Sequence, residues 1–251
     1  LLKKHNITLN ILKNKNPIVK NVQSKAREVR YNLILNFCKK NKINTILTAH
    51  NLEDQVETFF IRLSRGSGLH GLSSMKQVNR INKNINLVRP LLDFKKIQLI
   101  KIAKVIFGKF FSDPSNKDKK YLRTKVRNLK DPLEKSGINY DQIIKSIKNL
   151  ASSRDTLDIY LKAIYKKIVN KEKNEISINF KEFCLFNKEI QMRIFMQSIK
   201  NLSNSYYSPR SKKILNLVDQ IKEKKNAKRT LGGCLIFREK KHIFLRKEVK
   251  N

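Results

Sequence analysis

The sequence predicts an α/β domain, a parallel sheet with flanking helices, over residues 1–135, followed by a mainly helical domain with a small C-terminal β-hairpin over residues 136–251. Three observations predict it. Short apolar runs without helical period alternate with amphipathic stretches in the first half, which implies right-handed crossovers between parallel strands. After about Gly137 the texture changes to long helical patterns, placing a boundary at residues 133–140. Near the end, two apolar runs face each other across a short polar turn.

In order, residues 6–12 alternate apolar and polar and read as a strand. From Val22, apolar residues recur at Ala26, Val29, Leu33 and Phe37, the spacing of an amphipathic helix. Residues 43–48 are a β-branched run, a buried strand, and a second helix follows from Leu52 to Leu63. Arg65 to Gly71 is a glycine-containing loop, residues 85–88 suit another strand, and Phe94 to Phe107 another helix. Asp113-Pro114-Ser115-Asn116 reads as a turn before a basic helix ending at Arg127. Helices are expected over residues 143–169, 183–202 and 214–224, and a hairpin from residues 231–237 and 242–245.

Lys and Arg (56) exceed Asp and Glu (20), giving a formal net charge of +36. Such a field draws polyanions, nucleic acid first, although abundant Lys, Asn and Ile also fit an AT-rich codon bias. Cys38, Cys184 and Cys234 are isolated, so a zinc knuckle, an iron–sulfur site and a disulfide framework lack support, and a reducing cytoplasmic setting fits. No apolar run approaches the roughly 18 residues of a membrane span.

The chemistry concentrates at Thr48-Ala49-His50-Asn51-Leu52-Glu53-Asp54-Gln55-Val56-Glu57, which leaves a strand and enters a helix, where open α/β sheets bind ligands. Leu52, Val56, Phe59, Phe60 and Leu63 share one helix face, while Asp54 and Glu57 lie nearly opposite with His50 in line. A histidine and two carboxylates there suit a hydrated magnesium, an ammonium group or a polar base. The same pattern also describes a solvated helix start capped by Asn51. His5, His70 and His242 read as surface residues, Cys38 as core, and Tyr206-Tyr207 as either a base-stacking pair or packing beside Pro209.

The run Thr48 to Gly71 resembles the tRNA(Ile)-lysidine synthetase family of PP-loop ATP pyrophosphatases, whose T-A-H, D-x-x-E-T and R-G-[ST]-G-L-x-G occur in this order. Ala26-Arg27-Glu28-Val29-Arg30-Tyr31, Arg89-Pro90-Leu91-Leu92 and Asp113 to Asn116 with Arg123 and Arg127 are similar to further motifs of that family, and Tyr207 to Arg210 more loosely. The resemblance implies adenylation of the wobble cytidine of the isoleucine tRNA with a CAU anticodon, then displacement of AMP by free L-lysine. ATP and Mg2+ would be the cofactors, the location cytoplasmic, with no membrane association; a homodimer stays open. By motif matching, His50, Asp54 and Glu57 would face cytidine, lysine and magnesium, with Asp54 and Glu57 as metal ligands. Arg30 and Arg123 would stabilise phosphate charge or position the RNA, joined by Arg27 and Arg127. Ala49, His50, Arg65, Gly66 and Gly68 would approach the nucleotide.

The family's S-G-G-x-D-S phosphate turn has no counterpart here, and Thr124 stands where the family carries Asn. Because the chain opens on Leu1, truncation is the expected cause, the first strand being absent too, and this chain alone is expected not to adenylate tRNA. Two rivals stand beside the ligase: a non-catalytic RNA-binding protein on the same fold, and a sister PP-loop enzyme that thiolates tRNA.

Overall fold

The computed structural model describes residues 2–14, 17–18, 22–82, 84–108, 122–203, 209–223 and 228–248. The turn expected at Asp113–Asn116 and the Tyr206–Tyr207 pair lie outside them. The chain divides into two compact units, Leu1–Leu150 and Ala151–Asn251. That seam falls inside a long helix, whereas the change of sequence texture lies near residue 135.

In the first unit, helix α1 (Val22–Lys40) leads to strand β1 (Thr45–Leu47), helix α2 (Leu52–Leu63) and a short α3 (Leu69–Leu72). Strands β2 (Val78–Arg80) and β3 (Asn86–Val88) precede helices α4 (Lys96–Phe107), α5 (Leu122–Arg127) and α6 (Lys130–Lys135). The sheet runs β1-β3-β2, with β1 and β3 parallel and β2 antiparallel to β3, an edge strand the sequence reading did not anticipate. Alternation directs Ile46 and Leu87 to one face, where Tyr31, Ile34, Leu35 and Cys38 of α1 cover them. Val56 of α2 instead packs with Tyr140, Ile143 and Ile147 of helix α7 (Tyr140–Ile168).

The strand expected at residues 6–12 is not formed: a 3-10 turn spans Leu2–His5 and the chain beyond has no regular structure. Ile7 (48%), Leu9 (65%) and Ile11 (72%) are solvent-exposed, so period-two alternation there lacks the paired neighbour and covered face that turn it into a strand.

The second unit holds five antiparallel strands: β4 (Val169–Lys171), β5 (Glu175–Asn179), β6 (Arg229–Leu231), β7 (Cys234–Glu239) and β8 (His242–Lys247), in the order β4-β5-β8-β7-β6. The expected hairpin is β7–β8, and it is the centre of a larger sheet because β5 pairs along the whole of β8. Ile176, Ile178, Ile236, Ile243 and Leu245 point to one face and meet Phe183, Phe195, Ile199, Ile214 and Val218 from helices α8 (Phe180–Cys184), α9 (Lys188–Ser203) and α10 (Ser211–Glu223). The single helix expected over residues 183–202 is broken after Cys184. Gln191 fixes the break, its Nε2 donating to the carbonyls of Phe183 (3.0 Å) and Phe186 (2.7 Å).

Gly232 turns β6 into β7 at φ 62°, and a Cβ there would lie 2.7 Å from Ile199 Cγ2. Gly232→Ala is therefore expected to lower the unfolding free energy by about 2–3 kcal/mol, from left-handed strain plus overpacking. Gly137→Ala, where φ is 86° but the space is open, should lose only the strain. Urea unfolding of the two variants measures the difference.

Candidate active site: a histidine at the strand end and a carboxylate clamp

Thr48 continues β1 by donating its backbone N–H to Val88 O at 2.9 Å, and Ala49, His50 and Asn51 then turn the chain into α2. Asn51 caps the helix: its Oδ1 accepts the Asp54 N–H at 3.0 Å, and Asp54 Oδ2 accepts the Asn51 N–H at 3.0 Å. Next to it, Glu53 Oε2 accepts the N–H of Lys96 at 2.8 Å, so this acid caps α4. Two of the three acids of the segment are thus engaged at helix N-termini, where unpaired amides favour negative charge.

Glu57 is not on a solvated face. It is 3% exposed, and both its oxygens are taken by arginines of α5: Arg123 Nε reaches Oε2 at 2.7 Å and Arg127 Nε reaches Oε1 at 2.5 Å. Arg123 Nη2 also approaches Asp54 Oδ1 at 3.4 Å. Burial is tolerated because each carboxylate oxygen has a charge-assisted partner. Arg127 is held more firmly protonated than an ordinary arginine, chiefly by its hydrogen bond to Glu57.

His50 is half-buried, with Nδ1 2.9 Å from Thr48 Oγ1. Burial lowers its pKa below the ordinary 6.5; Asp54 opposes this, and Arg89, Arg123 and Arg27 reinforce it. The imidazole is therefore neutral near pH 7, with one acid and three arginines acting on it. The lysine ammonium expected between Asp54 and Glu57 would share these acids with Arg123, which reaches both. As metal ligands these two acids also fit poorly. Neither Glu57 oxygen is open, and no group of three His, Cys, Asp or Glu among the described residues could hold an ion.

The structure brings His50, Asp54, Glu57, Arg123 and Arg127 into one cluster. Arg27, its guanidinium 5.3 Å from the Tyr31 ring centroid, contributes only its charge, and Arg30 is exposed further along α1. Ala49 is exposed at the strand end. Arg65, Gly66 and Gly68 lie on an exposed loop, with Gly66 at φ 65° and open space where Cβ atoms would project from both glycines.

The residues that shape this loop were given no role from the sequence, although Gln55, Gly71 and Arg89 stand in the quoted motifs. Arg62 Nη1 donates to Gly71 O (2.8 Å) and Ser74 O (3.0 Å), and Gln55 makes a paired amide contact with the Met75 backbone. Gly71 is the glycine with no room, since a Cβ would sit 2.4 Å from Ser67 Cβ. Arg89, 5% exposed, ties β3 to the chain before β2 through Lys76 O at 2.7 Å. The available signal was an arginine directly after an apolar strand, where a long cation has little access to water.

A family model described as ATP_bind_3, PP-loop domain, matches residues 1–132. The tRNA(Ile)-lysidine synthase of Wolbachia pipientis wMel is 34% identical over 230 residues, 91% of this chain and 53% of that protein. The synthase of Rickettsia felis is 32% identical over 233 residues, again 91% and 53%. The chain thus spans about half the length of the curated relatives it matches. A solved structure of the U34-tRNA thiolase NcsA from Methanococcus maripaludis with its [4Fe-4S] cluster aligns with 60% of this chain and 53% of its own at TM-score 0.48 and 19% identity.

Two outcomes follow from the clamp. Glu57→Gln should cost about 2–3 kcal/mol in thermal or urea unfolding, less than the full penalty for a broken buried pair because both arginines keep part of their hydration. Asp54→Asn, which retains a capping acceptor, should cost less than about 1 kcal/mol. In an NMR titration of His50, Arg123→Gln should raise the midpoint and Asp54→Asn lower it. Because the folded value is depressed, the stabilisation from His50 is full above about pH 6.5 and is lost as pH falls through the folded value.

Proposed function

Because the chain belongs to the PP-loop domain family, we propose that it is part of an ATP-dependent enzyme that joins free lysine to the wobble cytidine of the CAU-anticodon isoleucine tRNA. The observation that carries the reading is the cluster at the carboxyl end of β1, in which His50 lies within the influence of Asp54 and of the Arg123 that Asp54 and Glu57 hold. The likeness to lysidine synthases along 91% of the chain supports the substrates. We place the protein in the cytoplasm, where its tRNA is; among the described residues no helix is long and apolar enough to cross a membrane.

In this reading the cytidine carbonyl oxygen attacks the α-phosphorus of ATP, pyrophosphate leaves, and the amine of lysine then displaces AMP. ATP fits the open backbone beside Ala49, Gly66 and Gly68, where side chains would not intervene. Arg123, whose side chain is 39% exposed despite its ion pairs, keeps a face for the adenylate charge. Asp54 and Glu57 act as positioning residues that fix that guanidinium. Mg2+ is assigned only as the companion of the ATP phosphates, not to these carboxylates. The attacking amine must lose a proton, and His50, uncharged at neutral pH, is the group able to accept it. Arg27, Arg30 and Arg127 add positive charge for the RNA backbone.

The whole gene product, given ATP, labelled lysine and the CAU tRNA, is expected to incorporate lysine with one AMP and one pyrophosphate released per lysine. His50→Ala should slow transfer by about a hundredfold or more with little change in melting temperature. Arg123→Lys, which keeps the charge but loses the fork, should also slow transfer strongly. Binding of tRNA without incorporation would instead identify a non-catalytic RNA binder, and incorporation of sulfur a thiolating enzyme.

A further inference from the structure

The outer face of the second unit's sheet carries a row of neighbouring π-faces. Helix α9 and its neighbours cover the inner face, where Ile243 and Leu245 of β8 are fully buried. Alternation along β8 sends His242, Phe244 and Arg246 the other way, spaced about 7 Å apart along the strand. β8 is the central strand of the five.

Each of these three groups is supported by its neighbours. Phe244 pairs in register with Phe237 of β7, the rings stacked at 5.5 Å between centroids and 24° between planes. His242 tilts against Phe244 with centroids 6.1 Å apart. The Arg246 guanidinium lies 5.2 Å from the Phe237 ring centroid and is held sideways by Glu175 of β5, its register partner. Phe237 is 7% exposed and forms the floor, whereas His242 and Arg246 are exposed and Phe244 is partly so. Ser177 of β5, the register partner of Phe244, lies beside the rings, while Asn179, opposite His242, caps α8 by accepting the Glu182 N–H. Exposed Lys240 and Lys241 in the β7–β8 turn precede the row.

We propose that the outer face of β8 binds unpaired RNA nucleotides, stacking successive bases on His242, Phe244 and Arg246. The occupant follows from the chemistry. A flat ring on a flat ring or guanidinium is sequence-tolerant recognition of a base, and the lysines that open the row match the phosphates of an extended strand. A protein partner would need a continuous apolar face, but here the rings are interleaved with Glu175, Asn179 and Glu239. A duplex hides its base faces and gains nothing from such a row.

The surface needs neither ATP nor lysine, so its test is independent of the ligation reading. The probes are a single-stranded oligocytidine of about ten nucleotides and a duplex RNA of equal phosphate number, measured by fluorescence anisotropy at two salt concentrations. The single strand should bind the parent protein more tightly than the duplex. Phe244→Leu, which keeps an apolar side chain in the sheet, should weaken single-strand binding about fivefold or more at unchanged melting temperature, and Phe244→Ala about tenfold or more. Arg246→Lys should weaken binding at both salt concentrations, because it removes a plane and leaves the charge. The proposal is overturned if the single strand does not bind, if the duplex binds as tightly, or if Phe244→Leu binds like the parent. Lysine transfer can succeed or fail in any of these cases.

Discussion

The geometry of the first unit's site depends on one buried carboxylate. Helix α5 has six residues, too few to persist by its own hydrogen bonds. Glu57 anchors it twice, through Arg123 and Arg127 one turn apart, while Thr124 and Val126 are buried between them. A single anchor would leave the helix free to pivot. Two bonds from one rigid carboxylate fix both its position and its rotation, and with them the exposed part of the Arg123 guanidinium.

The same scarcity of acids governs the rest of the neighbourhood. In a chain with 20 acids and 56 basic residues, α2 commits Glu53, Asp54 and Glu57 to caps and clamps. Burial, reinforced by Arg89, Arg123 and Arg27 and opposed by Asp54, keeps the His50 imidazole uncharged. A neutral base among fixed, paired charges is thus a consequence of where the acids are spent.

The elements were legible where periodicity and burial agree. Helices α2 and α10 have a clear apolar stripe and stand where their patterns place them, whereas α1 forms as expected but covers the sheet with Tyr31, Ile34, Leu35 and Cys38 rather than with the stripe from Ala26 to Phe37. Residues 6–12 have the pattern without the burial and form no strand, while β4 has three residues, too few for any pattern to register. At the site, the segment from Thr48 to Glu57 was legible because residue types and spacing carry chemistry. What was not legible was the partner of each group. A helical wheel sets Glu57 opposite the apolar face and so on the surface, and only the docking of α5, more than sixty residues later, converts that face into an interior. Arg62 and Gln55 were given no role for a related reason: their partners are backbone carbonyls and amides, which every sequence has everywhere.

The position of β8 in the second sheet has a consequence for how that unit is made. It is the last of the five strands in chain order, yet it sits between β5 and β7 and pairs with both. On a ribosome β5 emerges some seventy residues before its partner: Glu175 must wait for Arg246. Until then β5 has only three-residue β4 beside it, and α8, α9 and α10 have no completed sheet to cover. Assembly of this unit therefore waits until β8 has emerged, is triggered by the short β7–β8 hairpin, whose local closure is fast, and is completed when that hairpin captures the waiting strand.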